Sequence, residues 1–282
     1  MPGPLLIVGV SGWLGAAVRA EGERRGCKVV GVGRRASASV DIVAIDASEI
    51  ATAIVAVAPS VVFNCTGVAT GDFANMRRVN VDLVHALVDA SGKAGARFVH
   101  VGSAAEIGDP GSAQPLAEDC LLAPISDYGR TKADGSMAVI SSSSDAVVAR
   151  LFNVAGASPP GGSFLAELVA KVRGSGNSVV LGNADVVRDW ISIEFAAQAV
   201  VALGEMQSAS RLVHVCSGRG ISHRELASAL GRRLGRDVEV SSRGLPGVAA
   251  VVGNPDLLQA TWGLRTSLRV GDLAKCVLLL DE

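Results

Sequence analysis

Apolar residues in this chain come in short unbroken runs separated by longer stretches of helical period. "LLIVGV" (5–10), "KVVGVG" (28–33), "IVAI" (42–45), "SVVFNCTG" (60–67), "RFVHVGS" (97–103) and "AVVARLFNV" (146–154) read as strands. The segments between them, about 13–25, 48–58, 73–94 and 128–140, read as helices. Strands that are apolar throughout are buried on both faces, and their alternation with helices predicts a parallel sheet covered on each side. Right-handed crossovers make this an α/β doubly wound sheet, a Rossmann fold.

The texture changes after residue 154. "GASPPGGS" (156–163) is a loop, followed by helices at about 163–174, 194–206 and 222–235 and by two more near the end. Strands are predicted around 179–181, 188–193 ("RDWISI"), 211–217 ("RLVHVCS") and 238–242. This divides the chain into a dinucleotide-binding domain, 1–154, and a smaller substrate-binding lobe, 155–282. Segments at about 188–217 are expected to return to the main sheet.

Composition narrows the function. The chain has 282 residues and a net charge of −1, so no basic field exists to hold nucleic acid or an anionic membrane surface. The N-terminal stretch has no charged region of the kind that opens a signal peptide, and every apolar run is too short to span a bilayer. Five scattered cysteines without a Cys-x-x-Cys pair, and four histidines without metal-ligand spacing, predict reduced buried thiols and no metal site. A cytoplasmic protein is expected.

The first motif is "GVSGWLG", with Gly9, Gly12 and Gly15 between the first strand and the first helix. Backbone here can approach a pyrophosphate, with the helix N-terminus supplying N–H groups. Ser11, Trp13 and Leu14 fall in the same loop. The second strand ends at Arg34 and Arg35, where NAD-binding proteins usually carry an acid. Two guanidinium groups suit a 2′-phosphate and favour NADP(H). Asp46, after the third strand, is placed for the adenine amino group, and Thr66 and Gly67 end the fourth strand beside the cofactor.

The second motif is "SDYGRTKADG" (126–135), in which the chain's one tyrosine, Tyr128, precedes Lys132 by one helical turn. An ammonium near a phenol favours the phenolate and suits the pair for acid–base work. Ser103, at the carboxyl end of the fifth strand, is placed to orient a substrate carbonyl.

Glycine loop, arginine-tipped second strand, Ser103 and then Tyr-x-x-x-Lys resemble, over essentially the whole length, an extended short-chain dehydrogenase/reductase of the nucleotide-sugar branch. "RLFNVAG" (150–156) is similar to that branch's Arg-x-Phe-Asn-x-x-Gly segment, and "GNADVVRDWISIEFAAQAV" to a segment of the GDP-6-deoxy-mannose reductases. The resemblance implies that Asn153 and Arg188 hold a substrate diphosphate, that Ala104 and Glu106 line the sugar site, and that Ser103, Tyr128 and Lys132 are catalytic. Sugar 4,6-dehydratases carry Asp-Glu where this chain has Ala104 and Ala105, which argues against elimination of water. The implied activity is NADPH-dependent reduction of a 4-keto group on a GDP- or dTDP-activated 4-keto-6-deoxyhexose. An NAD-dependent nucleotide-sugar epimerase is the alternative. Relatives also imply a homodimer formed as a four-helix bundle by the helices at about 73–94 and 128–140.

Overall fold

The computed structural model describes residues 3–111, 114–174, 176–206 and 209–278; the outermost ends of both expected domains, 1–2 and 279–282, lie outside the described residues. In chain order the first half comprises β1 (Leu5–Val8), α1 (Trp13–Arg24), β2 (Val29–Gly33), β3 (Ile42–Val43), α2 (Ala47–Val57), β4 (Val61–Asn64), α3 (Phe73–Arg77), α4 (Leu83–Lys93), β5 (Arg97–Ser103), α5 (Asp127–Ser141) and β6 (Ala146–Leu151). A π-helical segment, Arg78–Asp82, joins α3 to α4. The second half comprises β7 (Asn153–Ala155), α6 (Phe164–Gly174), β8 (Ser178–Leu181), β9 (Val187–Ser192), α7 (Ile193–Glu205), β10 (Leu212–Val215), β11 (Gly220–Ser222), α8 (His223–Arg233), β12 (Glu239–Ser242), β13 (Ala250–Val251), α9 (Asp256–Trp262) and α10 (Val270–Val277).

Seven strands form one parallel sheet in the order β10-β6-β5-β4-β1-β2-β3. This is the doubly wound sheet that the apolar runs predict. In β1, Leu5 and Ile7 face the layer that contains Phe195, Val200 and Leu203 of α7, while Leu6 and Val8 face the layer with Ile54, Val84 and Leu87 of α2 and α4. Alternate residues thus meet different helices, and no position on the strand can be polar. The order reverses between β1 and β4, and in such sheets ligands bind outside the carboxyl ends of the strands at that point.

The remaining strands stand apart. β9 pairs with β7, β11 and β13 in a small sheet, and β12 pairs with β8. A separate core, including Leu168, Leu181, Trp190, Leu226, Leu230 and Leu273, joins these strands to α6, α8 and α10. The segment 188–217 divides accordingly: α7 and β10 belong to the main sheet, but β9 does not. The run "AVVARLFNV" also divides, because β6 ends at Leu151 and β7 leaves for the small sheet. Both runs are apolar in either location, so periodicity alone could not tell which sheet takes them.

Candidate active site

The glycine loop follows β1 directly. Gly9 has φ +83°, a conformation that disfavours side chains, and a Cβ at Gly15 would lie 2.2 Å from the Gly9 carbonyl oxygen. Helix α1 therefore packs backbone-to-backbone on the loop. Its N-cap, Gly12, offers no side-chain cap and its first turn holds no acid, which leaves the positive end of the helix dipole to a ligand. This cradle fits a dinucleotide pyrophosphate. Ser11 is exposed, and Leu14 packs into the core beneath the loop. Trp13 reaches outward, its Nε1 donating to the Ala157 carbonyl at 2.8 Å.

Arg34 and Arg35 follow β2 on the surface. The nearest following acid, Asp41, is engaged elsewhere: its Oδ2 accepts from Gly31 N at 2.6 Å and from Arg19 Nη1 at 2.8 Å. Those contacts hold its carboxyl below the usual range, the Gly31 bond first. Asp46 caps α2, Oδ1 accepting from the backbone N–H groups of Ser48 and Glu49 at 2.9 Å.

Ser103 ends β5 and Tyr128 opens α5, which Ser126 caps by accepting from Gly129 N at 3.0 Å. The Tyr128 phenol is a neighbour of the Ser103 hydroxyl. Burial raises the phenol above its ordinary pKa, the neighbouring Ser103 hydroxyl opposes that rise, and the Glu106 charge adds to it. Lys132, one turn further along α5, is buried, with Nζ donating to the Val101 carbonyl at 2.6 Å. Burial pushes its pKa down to about 8, against the opposing pull of Glu106 and Cys65. The three side chains named from the sequence thus converge at the carboxyl end of β5. The arrangement suits proton donation to a carbonyl oxygen held between two hydroxyls.

Glu106 does not face the site. It is fully buried, and its two oxygens accept from Ser103 N (2.7 Å), Ser136 Oγ (2.8 Å) and Arg150 Nε (2.9 Å). The assignment of Glu106 to the sugar is therefore corrected. It closes a capping box with Ser103 around a 3₁₀ turn, Ala104–Glu106, and so holds Ser103 in place. Arg150 is equally buried and continues through Nη1 to His214 Nε2 at 3.1 Å. Ala104 lies half-buried in the same turn and packs against the cluster of Ile107 and Phe152.

Asn153 stands opposite Trp190 where β7 pairs with β9, and Arg188 lies two residues before Trp190. The pleat therefore puts Asn153, Trp190 and Arg188 on one face of the small sheet. Arg188 lines a cavity of about 340 Å³ together with Phe164, Leu181, Asn183, His223 and Leu245. Its Nη1 donates to the Val187 and Val248 carbonyls, and among the described residues it makes no ion pair. With no carboxylate paired to it, an anion arriving there would meet an uncompensated guanidinium, whose pKa burial lowers. The rings of Phe164 and His223 stack with centroids 3.9 Å apart.

Several residues of this region escape sequence reasoning. Asn80, on the π-helical segment, brackets the loop after β4 by accepting from Val68 N and donating to Val68 O, both at 2.9 Å. It also donates to Thr131 Oγ1 on α5 at 3.0 Å. Thr66 is bound to Asn64, and behind Asn64 lies His100. Asp189, opposite in sense to Arg188 on β9, accepts from Ser217 N, Ser217 Oγ, Gly218 N and Gly253 N and ties three segments together. Polar residues inside otherwise apolar strands were the available signal. Of the five cysteines only Cys216 is buried; the others are half-buried rather than enclosed as expected. No helix among the described residues is long and apolar enough to cross a membrane.

Comparison with known proteins agrees with this geometry. The chain is 26% identical over 260 residues to dTDP-6-deoxy-L-talose 4-dehydrogenase (NAD(P)(+)) of Kitasatospora kifunensis, covering 85% of this chain and 82% of the relative. It is 29% identical over 154 residues to methionine adenosyltransferase 2 subunit beta of Pongo abelii, covering 52% and 46%. Among solved structures, Bordetella bronchiseptica WbmG in complex with NAD and UDP superposes with a TM-score of 0.84 at 21% identity, over 98% of this chain and 92% of that one. RMD of Pseudomonas aeruginosa complexed with NADPH gives 0.82 at 19%, over 98% and 97%. These structural likenesses establish a common fold. A family profile matches residues 5–216, and the chain belongs to the NAD dependent epimerase/dehydratase family.

Proposed function

We propose that this protein is an NADPH-dependent reductase of the 4-keto group of a nucleotide-activated 4-keto-6-deoxyhexose. The observation that carries the reading is the convergence of Ser103, ending β5, with Tyr128 and the buried Lys132, one turn apart on α5, where Lys132 Nζ donates to the Val101 carbonyl of the same strand. When bound, NADPH supplies the hydride that reduces the carbonyl carbon. Ser103 holds the carbonyl oxygen, Tyr128 gives its phenolic proton to the oxyanion as it forms, and Lys132 grips the nicotinamide ribose and tunes the phenol. Asn153 and Arg188 anchor the substrate diphosphate, which accounts for dianion binding by a nearly neutral chain. Residues 1–154 act as the cofactor domain and 155–282 chiefly as the substrate lobe, with α7 and β10 packed into the former. Ala104 lies beside the sugar.

The cofactor preference is supported by Arg34 and Arg35 and by the engagement of Asp41 Oδ2 with Arg19 and Gly31. Gly9, Gly12 and Gly15, with Ser11, Trp13, Leu14, Asp46, Thr66 and Gly67, complete the NADP(H) contacts. A relative with 26% identity whose name places its chemistry at C4 of a deoxysugar supports the substrate class. The second reading, an NAD-dependent epimerase using the same three residues, is favoured by fold neighbours that hold NAD. Phe73 and Met137, about half exposed on α3 and α5, suit the homodimer that these helices would form.

The test is loss of nicotinamide absorbance with NADPH, or NADH in parallel, on GDP- and dTDP-4-keto-6-deoxyhexoses generated in situ. Rapid NADPH consumption with one sugar is the expected result. Purified protein carrying tightly bound NAD, and inert toward NADPH, would establish the epimerase instead.

A further inference from the structure

Behind Lys132 lies a buried chain of polar side chains. Asn64 at the end of β4 pairs across the sheet with His100 in β5, and both are fully buried. The backbone N–H of Thr66, which can only donate, reaches Asn64 Oδ1 at 3.1 Å, and Thr66 Oγ1 reaches the same oxygen at 2.6 Å. These contacts fix which end of the amide is oxygen. Nδ2 therefore faces His100 Nδ1, at 3.1 Å, and donates to it. An imidazole that accepts at Nδ1 and is neutral carries its proton on Nε2. His100 is neutral, because burial first and the Lys132 charge second push its pKa well below the ordinary value.

His100 Nε2 lies 3.4 Å from Lys132 Nζ. An ammonium has only donors, so it confronts the Nε2–H; an uncharged amine has a lone pair and accepts it. We propose that Asn64 and His100 form a tautomer lock that disfavours the charged form of Lys132. His100 is then a positioning residue, acting on the substrate only through Lys132. The other groups around Nζ are the Val101 carbonyl and Glu106, which favour the ammonium, and Cys65 at the edge of β4. Tyr128 shares the face of α5. Around His100 itself stand Lys132, Asn64 and the stacked ring of Phe98. The lock exists whatever the substrate; only its consequence for turnover, that it places the titration of the lysine beside Tyr128 within the working pH range, rests on the reductase reading.

The test uses the full chain without nucleotide or substrate. Long-range proton–nitrogen correlation spectra of protein labelled with ¹⁵N-histidine, assigned with His100→Phe, report the tautomer directly. A pyrrole-type Nε2 and a pyridine-type Nδ1 are expected; the reverse pattern would overturn the lock. The Lys132 side chain, labelled with ¹³C and assigned with Lys132→Met, reports its titration. In His100→Phe, which keeps a ring against Phe98, the midpoint should rise by about one pH unit. Should that variant not fold, Asn64→Asp serves: a carboxylate facing Nδ1 demands an N–H there and turns a bare Nε2 toward Lys132. A switched tautomer with a raised lysine midpoint is expected, and an unmoved midpoint in the variant that folds refutes the proposal. Failure of NADPH turnover with these spectra as expected would count against the reductase reading alone.

Discussion

The indole Nε1 of Trp13 donates to the carbonyl of Ala157 at 2.8 Å, joining the glycine loop to the chain leaving β7 across 144 residues of sequence. The ring lies against Gly156, where an added Cβ would come within 3.0 Å of Trp13 Cζ2. The loop that would hold the cofactor is thus tied to the strand that carries Asn153. Trp13→Phe keeps a ring but removes the donor. It should lower stability by about 1 kcal/mol, the usual net worth of one hydrogen bond, and weaken NADPH binding several-fold. Thermal melts and calorimetric titration check both, and an unchanged affinity would rule out any coupling through this bond.

Arg150 and Glu106 form an ion pair with both side chains essentially out of water, at 1% and 0% exposure. Removing one partner strands the other's charge. Arg150→Met should therefore cost about 3–5 kcal/mol, and it should also reduce turnover by loosening Ser103. The double variant Glu106→Gln, Arg150→Met leaves no stranded charge and should regain a good part of the stability. Urea unfolding of the parent, Arg150→Met, Glu106→Gln and the double variant measures the coupling; additive losses would mean that the two residues act independently.

The reductase reading carries a pH signature. It requires a protonated Tyr128, whose pKa burial raises, and a charged Lys132, whose pKa burial pushes down to about 8. The ammonium is present below that value and is lost above it. kcat/KM for NADPH oxidation should be level toward neutrality and fall about tenfold per unit on the alkaline side of the Lys132 midpoint. Lys132→Met should lose most activity together with this limb. A limb that persists in the variant would assign it to another group.

His214 makes stability sensitive to acid. Burial, and then the charge of Arg150, push its pKa down to about 3. Its unfolded value lies near 6.5, so unfolding takes up a proton anywhere between the two. A group with a depressed pKa that is neutral when folded contributes fully above 6.5, and that contribution is lost as pH falls. Burial depresses His100 and His223 in the same sense, whereas the Asp189 carboxyl, raised by burial to about 6, acts oppositely below that pH. The clean readout is a comparison: His214→Gln should flatten the fall of Tm below pH 6.5 relative to the parent, by about 1.4 kcal/mol per unit at most. Parallel curves would place the sensitivity elsewhere.

The doubly wound sheet was legible because β1, β4, β5 and β6 are covered on both faces, which makes their runs mainly apolar, and because those runs alternate with segments of helical period. Ser103, Tyr128 and Lys132 were legible for a different reason: local spacing on one helix, and a strand end that the topology brings to the same edge. Glu106 was not. Its place near the sugar came from the family resemblance, and only packing reveals that its carboxylate is engaged by Ser103, Ser136 and Arg150.

What the sequence by itself determined is the alternation of strands and helices, the glycine loop and the candidate hydroxyl–lysine set, all of which depend on short-range periodicity and spacing. The tertiary structure alone decided that β9 belongs to the small sheet, that Trp13 reaches Ala157, and that Asn64 stands behind His100 and Lys132. The reason is physical. A hydrogen bond between residues far apart in the chain depends on which strands lie side by side and on which side chains are excluded from water, and neither leaves a period in the sequence.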